Sequence, residues 1–568
     1  MALSAPQRFL KVAAPYWRGE RRWVAWGVLI AIVCLMLAET YFAVRLNTQT
    51  GELASSLAAR DTPRFWEAVR QLLVVIAFAV PIYAVYYYAR DAYANDWRRW
   101  LTQRFLEGYL RDRHYFALNS NDEIDNPDQR IAEDINTFTG RSLNFLLMLL
   151  GSAMQLAAFS VVLWQLSHLL VGFLLAYAVV GTVLSIGIFG KPLIRLNYGQ
   201  LKREAELRFR LMRVRENAES IAFYRGEGQE RRQLLQRLRA VLLNTKRLIR
   251  TQFLLNLFQR AFSQLSLLVP SVVLASDVLG GRLEVGQAVQ AGGAFAAVLT
   301  AMSLIIDNFE SLSRFAAGID RLHAMAEALD TAPVEAGIGR TEGLELQLSG
   351  LTVKAPDSER VLVQNLSLTL PAGGSLLITG ASGCGKSSLL RAIAGLWTHG
   401  SGQVQHPPPE DVFFLPQRPY LQAGSLRSQL IYPSSQSPLD DAALLAVLEE
   451  VQLRPLAERV GGLDAVQDWE KLLSGGEQQR LAFARLLVHA PRMAILDEAT
   501  SALDDANQQR LYERLRARGT TLISIAHRAA VAGFHRRVLR LKAGGQWELQ
   551  QTAEAPPQPA AAEAAAKP

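Results

Sequence analysis

Apolar residues gather into long runs over the first ~325 residues of this chain and alternate with polar ones thereafter. Six runs stand out: residues 23–44, 69–89, 143–166, 169–190, 253–276 and 288–306. A helix crosses a hydrocarbon core of about 30 Å in roughly 20 residues. The pattern therefore predicts six spans and an all-α membrane domain over residues 23–328. The fifth run carries Asn256, Gln259, Arg260 and Pro270, which blurs its ends. Residues 201–252 hold apolar positions at helical spacing, interrupted only near Gly226 and Gly228, and predict helices that continue beyond the bilayer. From Leu344 the period changes: Leu344, Leu346 and Leu348 alternate as on a half-buried strand. Strand-like and helix-like segments then follow one another through residues 344–550, as in a soluble α/β domain.

Composition marks the remaining boundaries. Residues 329–343 turn to Pro, Gly and small side chains and are expected to be a linker, and residues 551–568 are a low-complexity tail. Residues 1–22 carry a basic cluster with Tyr16 and Trp17 and suit an interfacial elbow. The first span is too long for the core of a cleavable signal.

A net charge of +8 raises the question of a nucleic-acid partner. The basic residues, however, crowd into residues 195–215 and 231–250, between predicted spans, as membrane topology requires. No nucleic-acid partner is expected. The positive-inside rule puts both termini and the long arginine-rich connections, 90–142 and 191–252, in the cytoplasm. Two cysteines, Cys34 and Cys384, make no disulfide framework and are expected to be reduced.

The chemistry lies near the C-terminus. Residues 380–387, GASGCGKS, follow the strand-like 375–379 and open a helix at Ser388. Glycines at 380, 383 and 385, with Ser382, let the backbone wrap a phosphate so that N–H groups face the anion. Lys386 should reach the β/γ-phosphates, and the Ser387 hydroxyl should ligate Mg²⁺. Residues 493–498 form an apolar strand ending in Asp497 and Glu498. Asp497 suits Mg²⁺, directly or through water, and Glu498 suits the water that attacks the phosphate. Ser474, Gly475 and Gly476 start an apparent helix and make a second anion-binding N-terminus.

The run Leu473–Glu477 resembles the signature of ATP-binding cassette (ABC) proteins. The resemblance implies an α/β P-loop nucleotide-binding domain fused to a six-helix domain of the type IV ABC exporter-like fold, with ATP and Mg²⁺ as cofactors. It also implies that Ser474, Gly475 and Gly476 bind the γ-phosphate held by a partner's phosphate loop, hence a homodimer of half-transporters. Gln417 matches the family's Q-loop glutamine, which senses Mg²⁺; Asp504 matches its D-loop; His527 matches its switch histidine. The family often stacks adenine on an aromatic residue where this chain has Ala355.

Residues 125–131, DNPDQRI, with Asp134, and residues 219–226, ESIAFYRG, resemble a narrower group. It unites peroxisomal fatty-acyl half-transporters with bacterial relatives of peptide and cobalamin importers. Ser220 stands where the peroxisomal members have a glutamate, so no role for that carboxylate carries over. The expectation is an ATP-driven transporter in a bacterial inner membrane, importing bulky hydrophilic or amphipathic solutes such as peptides or cobalamin-like molecules. A long-chain acyl or lipid substrate, or export, is the alternative. A soluble ATPase of the same family is excluded by the apolar runs.

Overall fold

The computed structural model describes residues 4–119, 124, 126–330, 337–356, 360–526 and 529–551. The chain forms two compact units, Met1–Ala332 and Pro333–Pro568.

Leaving aside short turns, the first unit is built from α1 (Ala5–Arg18), α2 (Arg22–Ala59), α3 (Thr62–Leu110), α4 (Ile135–Leu166), α5 (His168–Ser185), α6 (Lys191–Glu216), α7 (Ala218–Tyr224), α8 (Glu227–Leu279), α9 (Val285–Asp307) and α10 (Phe309–Asp330). Among the described residues, five helical stretches are long and apolar enough to cross a membrane by length and composition, and His168–Gly181 is a shorter apolar one. Residues 45–59, expected as a connection, continue α2 as helix. Thr48 and Thr50 return their hydroxyls to the carbonyls of Val44 and Leu46 at 3.0 and 2.8 Å, so polar side chains there do not pull the backbone out of the helix. The turn comes only at Arg60, in the left-handed region, and Asp61 then caps α3 by accepting from the Arg64 N–H at 3.1 Å.

Helices α2 and α9 meet backbone to backbone. A Cβ on Gly286 would stand 1.9 Å from the Gly51 carbonyl oxygen, and one on Gly51 would stand 2.7 Å from that of Gly286. Asn47 donates to the Gln290 carbonyl at 3.0 Å, and the Gly286 N–H donates to Ser55 Oγ at 3.0 Å. Small residues thus allow the approach and polar ones fasten it.

A second core joins α1, α3, α4 and α10, with Tyr16 stacked on Trp97 at 5.6 Å. The Asn-Pro-Asp motif feeds this core; Asp125 lies outside the described residues. Asn126 is left-handed, Pro127 starts a helical turn, and Arg130–Asp134 is wound as a π-helix that buries Arg130 and Asp134. Asp134 accepts two hydrogen bonds from Arg321 of α10, at 2.7 and 2.6 Å, and Arg130 donates to the Arg321 carbonyl at 2.8 Å. The pair Gly226/Gly228 marks a real break: α7 ends at left-handed Arg225 and α8 starts after Gly226.

The second unit holds two main sheets. The first comprises β1 (Gly339–Glu342), β2 (Leu346–Lys354), β3 (Val361–Leu370) and, after helix α11 (Lys386–Ala394), β5 (Gly400–His406), in the order β1-β5-β2-β3. Residues 339–342, placed in the expected linker, are therefore strand, because they pair in parallel with β5. The second sheet comprises β4 (Ser375–Gly380), β6 (Val412–Leu415), β7 (Met493–Asp497), β8 (Thr521–Ile525), β9 (Arg537–Leu541) and β10 (Trp547–Gln551). Its order is β10-β9-β4-β8-β7-β6, parallel apart from the β9/β10 pair. Strands β4, β8 and β7 are neighbours in the middle, nearly all buried, so their C-terminal ends at Gly380, Ile525 and Asp497 share one edge.

Candidate functional site

That edge carries the phosphate loop. Gly380, Gly383 and Gly385 all hold positive φ, at 147°, 75° and 98°, and a Cβ on Gly385 would stand 2.9 Å from the Leu362 Cβ. Only glycine fits such a loop without strain. Ser382 lies in the loop; Lys386, Ser387 and Ser388 form the first turn of α11, whose leading N–H groups have no partner inside the helix. Lys386 is 8% exposed, and its ammonium donates to the loop's own carbonyls, Gly380 at 2.9 Å and Ala381 at 3.0 Å. A cation folded over a glycine cradle at a helix N-terminus fits a polyphosphate.

Asp497 and Glu498 stand beside the loop. Burial first, and then the neighbouring Glu498 charge, push the Asp497 carboxyl above its ordinary value; a hydrogen bond with Ser387 and the charges of Arg391 and Lys386 pull it back. The Ser387 hydroxyl and the Asp497 carboxylate therefore sit together, two hard oxygen ligands of the kind Mg²⁺ takes while keeping several waters. Glu498 has φ 49°, a conformation that a non-glycine residue seldom adopts, and its N–H donates to the Ile525 carbonyl at 3.1 Å. Its carboxylate accepts from Gln417 Nε2 at 3.0 Å. Sequence-distant Gln417, Ser387, Asp497 and Glu498 are thus brought to one place. His527 lies outside the described residues.

The remaining predicted residues stand apart. Helix α12 (Gly475–His489) begins at Ser474, whose hydroxyl accepts from the Glu477 N–H at 3.3 Å while Glu477 accepts from the Ser474 N–H at 2.9 Å. Burial raises the Glu477 carboxyl, but bonds from Ser474 and the Arg459 charge outweigh it and leave the group below its usual value. Among the described residues, no hydrogen bond joins Ser474, Gly475 or Gly476 to residues 380–388. Asp504 caps helix α13 (Asp505–Ala517), accepting from the Asn507 N–H at 2.7 Å.

Comparison with known proteins decides what this geometry belongs to. The family model for the ABC transporter transmembrane region 2 matches residues 13–279, and the ABC transporter model matches residues 363–501. An uncharacterised ABC transporter ATP-binding protein of Synechocystis is 44% identical over 93% of this chain and 82% of its own length. The chain is an ABC transporter. Chloroplastic ABC transporter D family member 2 of Arabidopsis thaliana is 36% identical over 94% of this chain and 86% of its own length. The human lysosomal cobalamin transporter ABCD4 is 32% identical, covering 96% of each chain. These relatives place the ABC transporter in the D family. It is a multi-pass membrane protein that binds ATP and couples its hydrolysis to transport.

One residue of the ABC domain's site escaped the sequence reading. Gln479, 4% exposed in α12, donates from Nε2 to Ser501 Oγ at 3.1 Å and to the Gln417 carbonyl at 3.4 Å, and its Oε1 accepts from the Ala502 N–H at 2.9 Å. A single amide ties the helix that begins at Ser474 to the Gln417 loop and to the turn after Glu498. The signal was present: Gln479 follows Gly475 by four residues, so both lie on one helix face, and that face packs on Ala502. At the expected adenine position, the Trp397 indole N–H donates to the Lys354 carbonyl at 2.9 Å, beside Ala355.

Proposed function

We propose that this ABC transporter works as a homodimer of six-span protomers in a bacterial inner membrane, with both termini and the ATPase domain cytoplasmic, importing bulky hydrophilic or amphipathic solutes such as peptides or cobalamin-like molecules. The observation that carries the solute class is a polar stripe on α8. Asn256, Arg260 and Gln264 recur at every fourth position, so they share one face, and all three are exposed within the apolar run. A stripe of this polarity is costly against lipid and suits a water-filled path. A cobalamin transporter among the relatives supports the same class.

In this reading the phosphate loop, with Gly380, Ser382, Gly383, Gly385, Lys386 and Ser388, holds ATP. Ser387, Asp497 and Gln417 hold Mg²⁺. Mg²⁺ supplies positive charge to the phosphate oxygens when bound. Glu498 takes the proton of the attacking water on its carboxylate, which Gln417 keeps in place. His527 senses the γ-phosphate, and Ser474, Gly475, Gly476 and Asp504 complete the partner's site across the dimer. Two domains closing on ATP and parting after hydrolysis then alternate access to the path.

Direction and cargo are tested together in cells. Expression of the intact protein should sensitise cells to toxic peptides or bleomycin-like compounds, and Lys386→Ala should abolish the effect, because the phosphates lose their main cation. Resistance with faster efflux of labelled compound would establish export. Uptake of labelled acyl chains without peptide uptake would establish a lipid substrate.

A further inference from the structure

Away from the ATP site, α2 and α3 enclose an open cavity of about 530 Å³. Arg45 is the first charged residue after the apolar run 23–44, and Arg70 lies in the first turn of the run 69–89. The cavity therefore sits where both helices leave the hydrocarbon, with Phe42 and Val74 toward the apolar side and Arg45, Gln49, Arg70 and the Glu67 carboxylate that pairs with Arg70 toward water.

Two observations point to a ligand. Gln49 lines the cavity at 7% exposure, and its side-chain amide has no hydrogen-bond partner among the described residues. Its amide atoms reach the open cavity rather than being sealed in the protein, so they can meet a ligand there. Arg45 donates from Nε to the Tyr41 hydroxyl at 3.1 Å and lies over that ring at 5.6 Å, but no carboxylate among the described residues pairs with it. Arg70 differs, being engaged by Glu67 at 2.8 Å. A guanidinium that has no carboxylate partner among the described residues and an amide open to the cavity, above an apolar floor, form a headgroup site with a chain slot beneath it.

We infer that the α2–α3 cavity binds an anionic lipid of the bilayer, its phosphate held by Arg45 and Gln49 and its acyl chain lying along Phe42 and Val74. The chemistry is that of a phosphate or carboxylate attached to a hydrocarbon chain. A free anion would satisfy Arg45 and Gln49 but leave the apolar floor bare, and this favours the lipid. The inference does not depend on the direction of transport or on the cargo.

The test uses the full-length protein in nanodiscs that contain phosphatidylglycerol and phosphatidylcholine, with lipids retained on the protein counted by native mass spectrometry. The intact protein should retain phosphatidylglycerol in preference to phosphatidylcholine. Arg45→Gln should reduce the preference about ten-fold, the order of one charge-assisted hydrogen bond. Gln49→Leu should weaken retention, and Arg45→Lys should keep most of it. Unchanged basal ATPase in each variant shows that the fold is intact. Equal retention by the intact protein and Arg45→Gln would overturn the inference. So would displacement of the lipid by millimolar inorganic phosphate, which would mark a site for free anions. Efficient cross-linking of Tyr41→Cys to a second copy in vesicles would also overturn it, since the partner would then fill the cavity.

Discussion

Glu498, the proposed proton acceptor, is held by a left-handed backbone, an N–H on Ile525, a carbonyl that accepts from the Ser501 N–H, and a carboxylate fixed by Gln417. Removing its charge while keeping its shape should therefore isolate proton acceptance. Glu498→Gln is expected to bind MgATP normally and lose on the order of 10²–10⁴ in turnover; near-normal ATPase in purified variant would refute the assignment. Ala355 makes the opposite case, a position where a side chain is missing. With no ring there to cover adenine, ATP and GTP should compete almost equally. Ala355→Tyr should then favour ATP by about 0.5–1.5 kcal/mol of stacking. A strong ATP preference in the unmodified protein, measured by competition binding, would show that another ring already serves. Lys386, Ser387, Asp497 and Glu498 were legible in the sequence because backbone geometry dictates them: glycines where φ must be positive, carboxylates where a buried strand stops. Gln479 was not, because its partners come from two loops, Gln417 62 residues before it and Ser501 22 residues after it.

At the scale of elements, the central strands act as a ruler for the site, and one histidine reports on their seating. His535 is 2% exposed; its Nδ1 lies 3.0 Å from the Val531 carbonyl and its Nε2 lies 2.9 Å from Ser524 Oγ on β8. A carbonyl can only accept, so Nδ1 carries the hydrogen and Nε2 accepts from the serine. Burial pushes this imidazole down to about 4. The unfolded chain takes up its proton near 6.5. Between those values the unfolded state binds more protons, so the stabilisation is complete above about pH 6.5 and is lost as pH falls toward 4. The thermal midpoint of the intact protein should drop between pH 7 and pH 5 more than that of His535→Gln; parallel drops would deny the role. Element boundaries proved harder to foresee than element types. The helical extension of α2 through residues 45–59 looked like a loop because its residues are polar, yet threonine hydroxyls folded onto the preceding turn and asparagine bonded to α9 leave the backbone helical. The π-helix at Arg130–Asp134 likewise has no composition of its own; within it Arg130 and Asp134 both bond to Arg321.

For the molecule as a whole, the contact of α2 with α9 is the least forgiving feature of the membrane unit. A side chain at Gly286 has to displace the Gly51 carbonyl, which is backbone and cannot swing aside. Gly286→Val should therefore cost about 1–3 kcal/mol or more, seen as a lower thermal midpoint in detergent, whereas Gly292→Ala, with open space around it, should be nearly silent. Equal midpoints for the two variants would mean that the helices are not in contact in solution. A seam of this kind works like a keyed joint. Interdigitated side chains can slip by one turn and mesh again, but two backbones pressed together offer no second notch. The helices can be mated or parted and have no stable setting between. Gearing between ATP and cargo must then be cut into other surfaces, and α2 with α9 forms a spar that those surfaces swing.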